Sequence, residues 1–454
     1  MFFDFIKKKK NPNIIPYDIH KIKKTYIDPN ALKIIYRLNN YEYDAYIVGG
    51  AIRDLLCGRK PKDFDVVTNA TPRQIKSIFT NSRIIGKRFR LVHIYFGDSI
   101  IETATFRKTL DKNTIKKGKE NENKESSDKK NEDKLFKTNK KTRLPLDNVF
   151  GTIEEDFARR DFTLNALYYD PNNETIIDFV GGYEDIKKNL INPMQDPSKS
   201  FKEDPVRMLR AVKYSTMLSF TIKNNVFKKI KKYASELERI STSRLYEEIA
   251  KIFKSRRAKD IFLAFENSGL LKYLMPFLEE DLKTADREKI IKDIEKLDKI
   301  LSNNESININ VYWVVLLLNR LKDYRNSRLS YQKQIEVTAI FKENLSKMNI
   351  PLYVIDYSTK VFILLMRLSH SIQKPNKAKL IKTMYVYEAI QILEIVSDDI
   401  ENIMYLKSMD IKNFERKSKK LHYHFYRNSN NNRKKYGRNQ NKAITTKNFY
   451  KKDR

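Results

Sequence analysis

The sequence holds one cysteine, one tryptophan, 11 glycines and five histidines in 454 residues. A single cysteine, Cys57, excludes an intrachain disulfide and any zinc site built on paired cysteines. The histidines are scattered without the spacing of a ligand set. Long apolar runs are missing as well. Val314 to Leu318 is about the longest, far short of a membrane span. The opening residues Met1-Phe2-Phe3-Asp4-Phe5-Ile6 are too short and carry an acid, so no secretory signal is read there. These absences give the expectation of a cytoplasmic protein with no membrane partner. Acids are also short: 57 against 90 bases, a net charge of +33. A chain this basic binds polyanions, with nucleic acid the first candidate and an anionic membrane surface the second.

Apolar residues make up 41% of the chain, enough to build a core, and 454 residues leave room for two to four domains. The most informative stretch runs from Tyr46 to Thr68. It reads as a strand (Tyr46-Ile47-Val48), a glycine turn (Gly49-Gly50), a short helix (Ala51 to Cys57) stopped by Gly58, and a second strand carrying Asp63-Phe64-Asp65. Gly49-Gly50 lets the backbone turn sharply and come close to a ligand. The helix start beyond it offers N–H groups to an anion such as a triphosphate. Strand alternation sends Asp63 and Asp65 to one face and Phe64 into the core. Two adjacent carboxylates repel unless a cation offsets them, and hard oxygen ligands suit Mg²⁺. The bland alternative is a turn, a helix and a polar strand end.

The rest of the chain supplies context. Residues 1–29 form a basic lead-in with a charge run from Lys7 to Lys10, read as solvated rather than folded. Asp28-Pro29-Asn30 reads as a helix cap, with Ala31, Ile34, Ile35 and Leu38 at helical spacing. Thr71-Pro72 caps a second helix. Arg83 to Phe96 gives two strands around a basic turn, and Ile100 to Arg107 another. Glu102 stands in that strand as a candidate third carboxylate; the alternatives are a salt bridge to Arg107 or an exposed position. Residues 111–142 have almost no apolar side chains and read as a disordered insert. Arg159 and Arg160 are suited to phosphates, and Asp161 either orients an arginine or sits near the acid pair. From Tyr183 almost to residue 410 the pattern is helical, with Asp204 as N-cap and Pro205 at N1 of one helix. Arg207 and Arg210 share a face of it. No catalytic constellation is read beyond residue 271. Residues 411–454 are a basic tail with interleaved aromatics, suited to gripping a phosphate backbone and stacking on unpaired bases.

Taken together, these motifs resemble the bacterial poly(A) polymerases, which group with the class II tRNA nucleotidyltransferases in the polymerase-β-like nucleotidyltransferase superfamily. The likeness runs from about Ala31 to Met275. It rests on Val48-Gly49-Gly50-Ala51-Ile52-Arg53-Asp54, the Asp63/Asp65 pair, the run Arg159 to Asn165, and Glu203 to Ala211. Residues Ile84 to Ile94 look like the segment that marks bacterial poly(A) polymerases. The insert departs from the family in its length.

The resemblance implies an α+β fold: a small polymerase-β-like nucleotidyltransferase head followed by an all-α neck and body. The implied parts are the lead-in (1–30), catalytic head (31–182), neck binding nucleotide and RNA (183–275), body (276–410) and tail (411–454). The implied activity is template-independent transfer of AMP from ATP to RNA 3′ ends. Asp63, Asp65 and Asp161 match catalytic positions, and Glu102 matches an additional acid. Two Mg²⁺ ions, with Mn²⁺ as the alternative, would be held by Asp63 and Asp65. Gly49, Gly50 and Arg53 would meet the triphosphate; Arg160, Asn165, Asp204 and Arg207 would line the pocket that recognises the base. Partners would be ATP, RNA 3′ ends and unidentified RNA-decay proteins. The rival expectations are a CCA-adding enzyme and a non-catalytic RNA-binding protein on the same fold.

Overall fold

The computed structural model describes residues 11–86, 90–108, 149–303, 307–325, 327–370, 383–397, 403, 404 and 406. The expected insert at 111–142 and tail at 411–454 lie outside the described residues, as do most of the basic turn after Ile85 and the Lys7 to Lys10 run. The chain divides into two compact units, Met1–Glu236 and Leu237–Arg454.

The first unit is built on an eight-stranded mixed sheet of order β1-β10-β9-β2-β3-β6-β5-β4. Its strands are β1 (Asn13–Ile15), β2 (Ala45–Val48), β3 (Asp65–Thr68), β4 (Ser82–Ile85), β5 (Leu91–Phe96), β6 (Ser99–Thr105), β9 (Leu167–Asp170) and β10 (Thr175–Asp178). β7 (Arg107–Lys108) pairs with β8 (Val149–Phe150), so the chain re-enters beside the point where it left. The helix Pro29–Asn40 packs on β2 and β3 and buries Ala31, Ile34, Ile35 and Leu38 completely. The Asp28 side chain accepts from Asn30 N–H to start it. Thr71 and Gln74 form a reciprocal capping box on the helix Pro72–Ile78, worth about 1 kcal/mol at such a terminus. The other face of β2, β3 and β9 is closed by a cluster of Val48, Val67, Phe106, Phe157, Ala166, Tyr168 and Met194.

Three expectations need correction. Residues 13–27 are folded: β1 is an edge strand on β10, and Ile15, Ile22 and Ile27 are buried. Periodicity missed them because a three-residue strand is too short to show a pattern. The stretch after Tyr183 is not purely helical, since β11 (Leu190–Ile191) and β12 (Thr221–Ile222) pair in parallel. Two residues each leave no alternation to read. The helix at Glu203 is two helices, Pro197–Glu203 and Val206–Leu218, with Pro205 in the N-cap position and the Asp204 carboxylate accepting from Val206 N–H.

The second unit is helical in its described residues. Phe253 stacks on Tyr312 at 4.5 Å and meets Trp313 edge-on at 5.1 Å. Buried Asp298 accepts from Tyr312 Oη and from the Ala258 and Lys259 N–H groups, so it caps the helix Ala258–Asn267 from a distance in sequence. Arg320 ties Asp281, Glu280, Asn344 and the Phe277 carbonyl together. Among the described residues no helix is long and apolar enough to cross a membrane.

Candidate active site

The site forms where β2 ends. Val48 pairs with Asp65 on β3 and with Tyr168 on β9. β3 runs parallel to β6 with Val66 opposite Thr103, so the next step of the ladder sets Glu102 beside Asp65. β3 starts at Asp65 itself, so Asp63 and Phe64 lie in the loop before it. The alternation still holds in effect, with Phe64 buried and Asp63 exposed. Protein crowding pushes the Asp65 carboxyl up to about 6. The charges of Asp63 and Glu102 push the same way, and Arg160 opposes them. Solvent nevertheless reaches Asp65, so it is crowded rather than sealed. The mutual effect places the three carboxylates in one electrostatic neighbourhood. Glu102 does have a side-chain partner, but it is His93 Nε2, 3.3 Å from its Oε1, and not Arg107.

Gly49 follows β2 with φ +77°, a conformation that disfavours any Cβ, and begins the helix Gly50–Leu56. A Cβ on Gly49 would lie 3.5 Å from Arg160 Nη1, and one on Gly50 would lie 3.4 Å from Arg53 Nη2. Two guanidiniums therefore flank the glycine turn. Arg53 is 8% exposed. It donates through Nη1 to Asn165 Oδ1 (2.8 Å) and through Nε and Nη2 to Asp54 Oδ1, and it lies over the Tyr214 ring. Burial opposes its charge, but Tyr214 and Asp54 outweigh that and raise its pKa.

Asn165 Nδ2 donates to Asp161 Oδ1 (2.9 Å), and Asp161 Oδ2 faces Arg210 Nη1 at 3.5 Å. Asp161 thus has an arginine, Arg210, beside its carboxylate. The turn Thr163–Asn165 is held close by Gly182, where a Cβ would meet the Thr163 carbonyl oxygen at 2.2 Å. Arg207 donates to Ser200 Oγ (3.1 Å) and to the Arg159 carbonyl (3.5 Å), and faces Glu203 at 3.8 Å. Arg159 and Arg160 follow the helix Ile153–Ala158 rather than opening one.

The family model described as the poly A polymerase head domain matches residues 45–192, and that described as the probable RNA- and SrmB-binding site of polymerase A matches 219–282. Poly(A) polymerase I of Salmonella typhi is 37% identical over 332 residues, covering 70% of this chain and 67% of its own length. The chain belongs to the poly(A) polymerase family. Members of that family are RNA nucleotidyltransferases, and the chain is an enzyme of this class. The CCA-adding enzyme of Bacillus pumilus is 32% identical over 252 residues, 56% of each chain. The fold is shared with the CCA-adding enzyme of Bacillus stearothermophilus in complex with CTP: TM-score 0.59, 23% identity, 84% of this chain and 82% of that one.

In this family member the sequence reading missed Asp156. It is fully buried and accepts from Arg159 Nε and Nη2, Arg160 Nη2 and Tyr168 Oη. Burial alone would raise its carboxyl, but the two guanidiniums outweigh that and hold it below the usual range. Arg160 also donates to Tyr168 Oη and to the Asn165 carbonyl. The available signal was spacing: Asp156 precedes Arg159 and Arg160 by three and four residues, the neighbours on a helix face. Tyr214, by contrast, reaches Arg53 across 161 residues of sequence and left no local signal.

Proposed function

We propose that this chain is a template-independent adenylyltransferase, moving AMP from ATP to an RNA 3′ end and releasing pyrophosphate, repeatedly. The observation that carries the transfer chemistry is the crowding of Asp63, Asp65 and Glu102 beside a glycine turn flanked by Arg53 and Arg160. The base choice follows the poly(A) polymerase I relatives, whose identity of 37% exceeds the 26–32% of the CCA-adding enzymes.

Asp63 and Asp65 fit a divalent cation, because hard carboxylate oxygens under mutual repulsion are what such an ion relieves. Among the described residues no three ligating side chains form a complete cage. Mg²⁺ needs none, since it is commonly held by one or two carboxylates with substrate phosphates. When bound, two such ions, Mg²⁺ or Mn²⁺, would supply an acidified 3′-hydroxyl and charge neutralisation at the leaving pyrophosphate. Arg53 and Arg160 would hold triphosphate oxygens by charge-assisted hydrogen bonds, with Gly49 and Gly50 allowing close approach. Asn165 and Asp161 would orient Arg53 and Arg210, and Asp204 with Arg207 would present the base-reading edge. A site of this kind selects by satisfying one base edge and leaving another unpaired. The work would be done in the cytoplasm, on RNA ends.

Asp63→Asn and Asp65→Asn test the chemistry. Each should abolish primer extension with ATP while RNA affinity stays near wild type; equal extension in either variant would overturn the acid assignment. The second reading, CCA addition, is favoured by the CCA-adding relatives. Labelled CTP offered with tRNA lacking its terminus would be incorporated only under that reading.

A further inference from the structure

The row of residues through the acids does not stop at Glu102. β5 pairs His93 with Glu102, and β4 pairs Arg83 with His93. Residues paired across a ladder share a face, so Asp65, Glu102, His93 and Arg83 stand in one line. Strands lie about 4.8 Å apart, which puts His93 about 10 Å from Asp65. Tyr95, two residues along the same strand, points the same way. Its ring lies 6.4 Å from that of His93 at 71°. A flat molecule stacked on one ring would meet the edge of the other.

Over β9, β2 and β3 this face is covered by Phe157, Met194 and their neighbours. Over β6, β5 and β4 no described residues cover it: Arg83, Ile100 and Glu102 are exposed, and His93 and Tyr95 are half-buried. The reverse side, with Val92, Ile94, Ile101 and Thr103, is buried. Arg160 and Tyr168 lie at the β9 end of the row. The acids therefore stand between an arginine network on one side and an open ring pair with an arginine on the other. Phosphoryl transfer brings its two substrates to opposite sides of the reacting phosphorus. The arginine side suits the triphosphate. The ring side suits the acceptor, because nucleobases stack on aromatic faces and a guanidinium takes a phosphodiester.

We propose that His93 and Tyr95 seat the 3′-terminal base of the acceptor RNA, with Arg83 meeting the phosphodiester behind it. This rests on the nucleotidyl-transfer reading and names where that site takes its polynucleotide. The 3.3 Å contact from Glu102 Oε1 to His93 Nε2 holds the His93 ring beside the acids.

A short RNA with 2-aminopurine as its 3′-terminal base reports stacking as fluorescence quenching, with the full chain and without added nucleotide. The wild type should quench it. Tyr95→Ser should bind the RNA about tenfold more weakly and, at saturation, lose most of the quenching, while Tyr95→Phe keeps both. A label placed five nucleotides inward should respond equally to all three proteins. Undiminished quenching of the end label by Tyr95→Ser, an inward label that changes in parallel, or displacement of the terminal base by ATP alone would overturn the assignment. Primer extension with ATP is scored separately, so loss of adenylyl transfer with quenching intact would sink the activity reading and leave the seat standing.

Discussion

Removing the Asp65 charge should stabilise the metal-free protein while destroying its activity. A carboxyl raised from 3.8 to about 6 is less at ease ionised in the folded chain than in the unfolded one. The equivalent free energy is roughly 3 kcal/mol if nothing screened it. Solvent reaches Asp65, so about 1 kcal/mol is expected. The sign follows from linkage. The folded chain holds the proton more tightly, so this contribution to stability is full below about pH 4 and is lost as pH rises through about 6. Asp65→Asn escapes the loss. In EDTA at pH 7.5 the variant should melt about 2–4 °C above wild type, the shift that 1 kcal/mol gives a unit of this size. At pH 4 the two should coincide. Added Mg²⁺ should narrow the gap at pH 7.5 by stabilising wild type alone. Thermal melts followed by circular dichroism measure all three. A variant that melts lower than wild type in EDTA, or a gap that ignores pH, would refute the crowding of Asp65 by the surrounding protein and by the Asp63 and Glu102 charges.

Asp156→Asn should act the opposite way, costing about 3 kcal/mol because two guanidiniums lose their buried anion; a thermal shift under 2 °C would contradict the clamp. Since the folded Asp156 carboxyl is held down, wild type should lose this contribution only on acidification below about pH 4, and the variant should not. Gly49→Ala should destabilise by about 1–3 kcal/mol from its positive φ and raise the KM for ATP more than that for RNA, measured by steady-state kinetics. Truncation after residue 410 should weaken RNA binding and flatten its salt dependence, with extension of a saturating short primer retained; an unchanged salt slope would make the tail a bystander.

Local chemistry carried much of the fold into view before any coordinates. The Pro29–Asn40 helix was legible because its cap and four apolar positions agree, and all four are buried. Capping at Thr71 was legible for the same reason. The Gly49-Gly50 turn and the two aspartates were readable as a unit since turn chemistry and alternation are short-range. What stayed hidden was long-range or very short. The ladder that brings Glu102 to Asp65 is a crossover pairing, and the His93 partner lies on the next strand. The Arg53–Asn165 bond spans 112 residues. β1, β11 and β12 are held by tertiary pairing, which two or three residues cannot announce. The roles of Asp204 and Arg207 in reading a base came from resemblance and not from spacing.

The most direct measurement offers ATP, CTP, GTP and UTP one at a time, with Mg²⁺, to the full chain and a short RNA primer. A long ladder with ATP and little growth with the others is the expected result. Growth that stops after one or two residues, or preference for CTP, would contradict an adenylyltransferase built on the Asp63, Asp65 and Glu102 cluster.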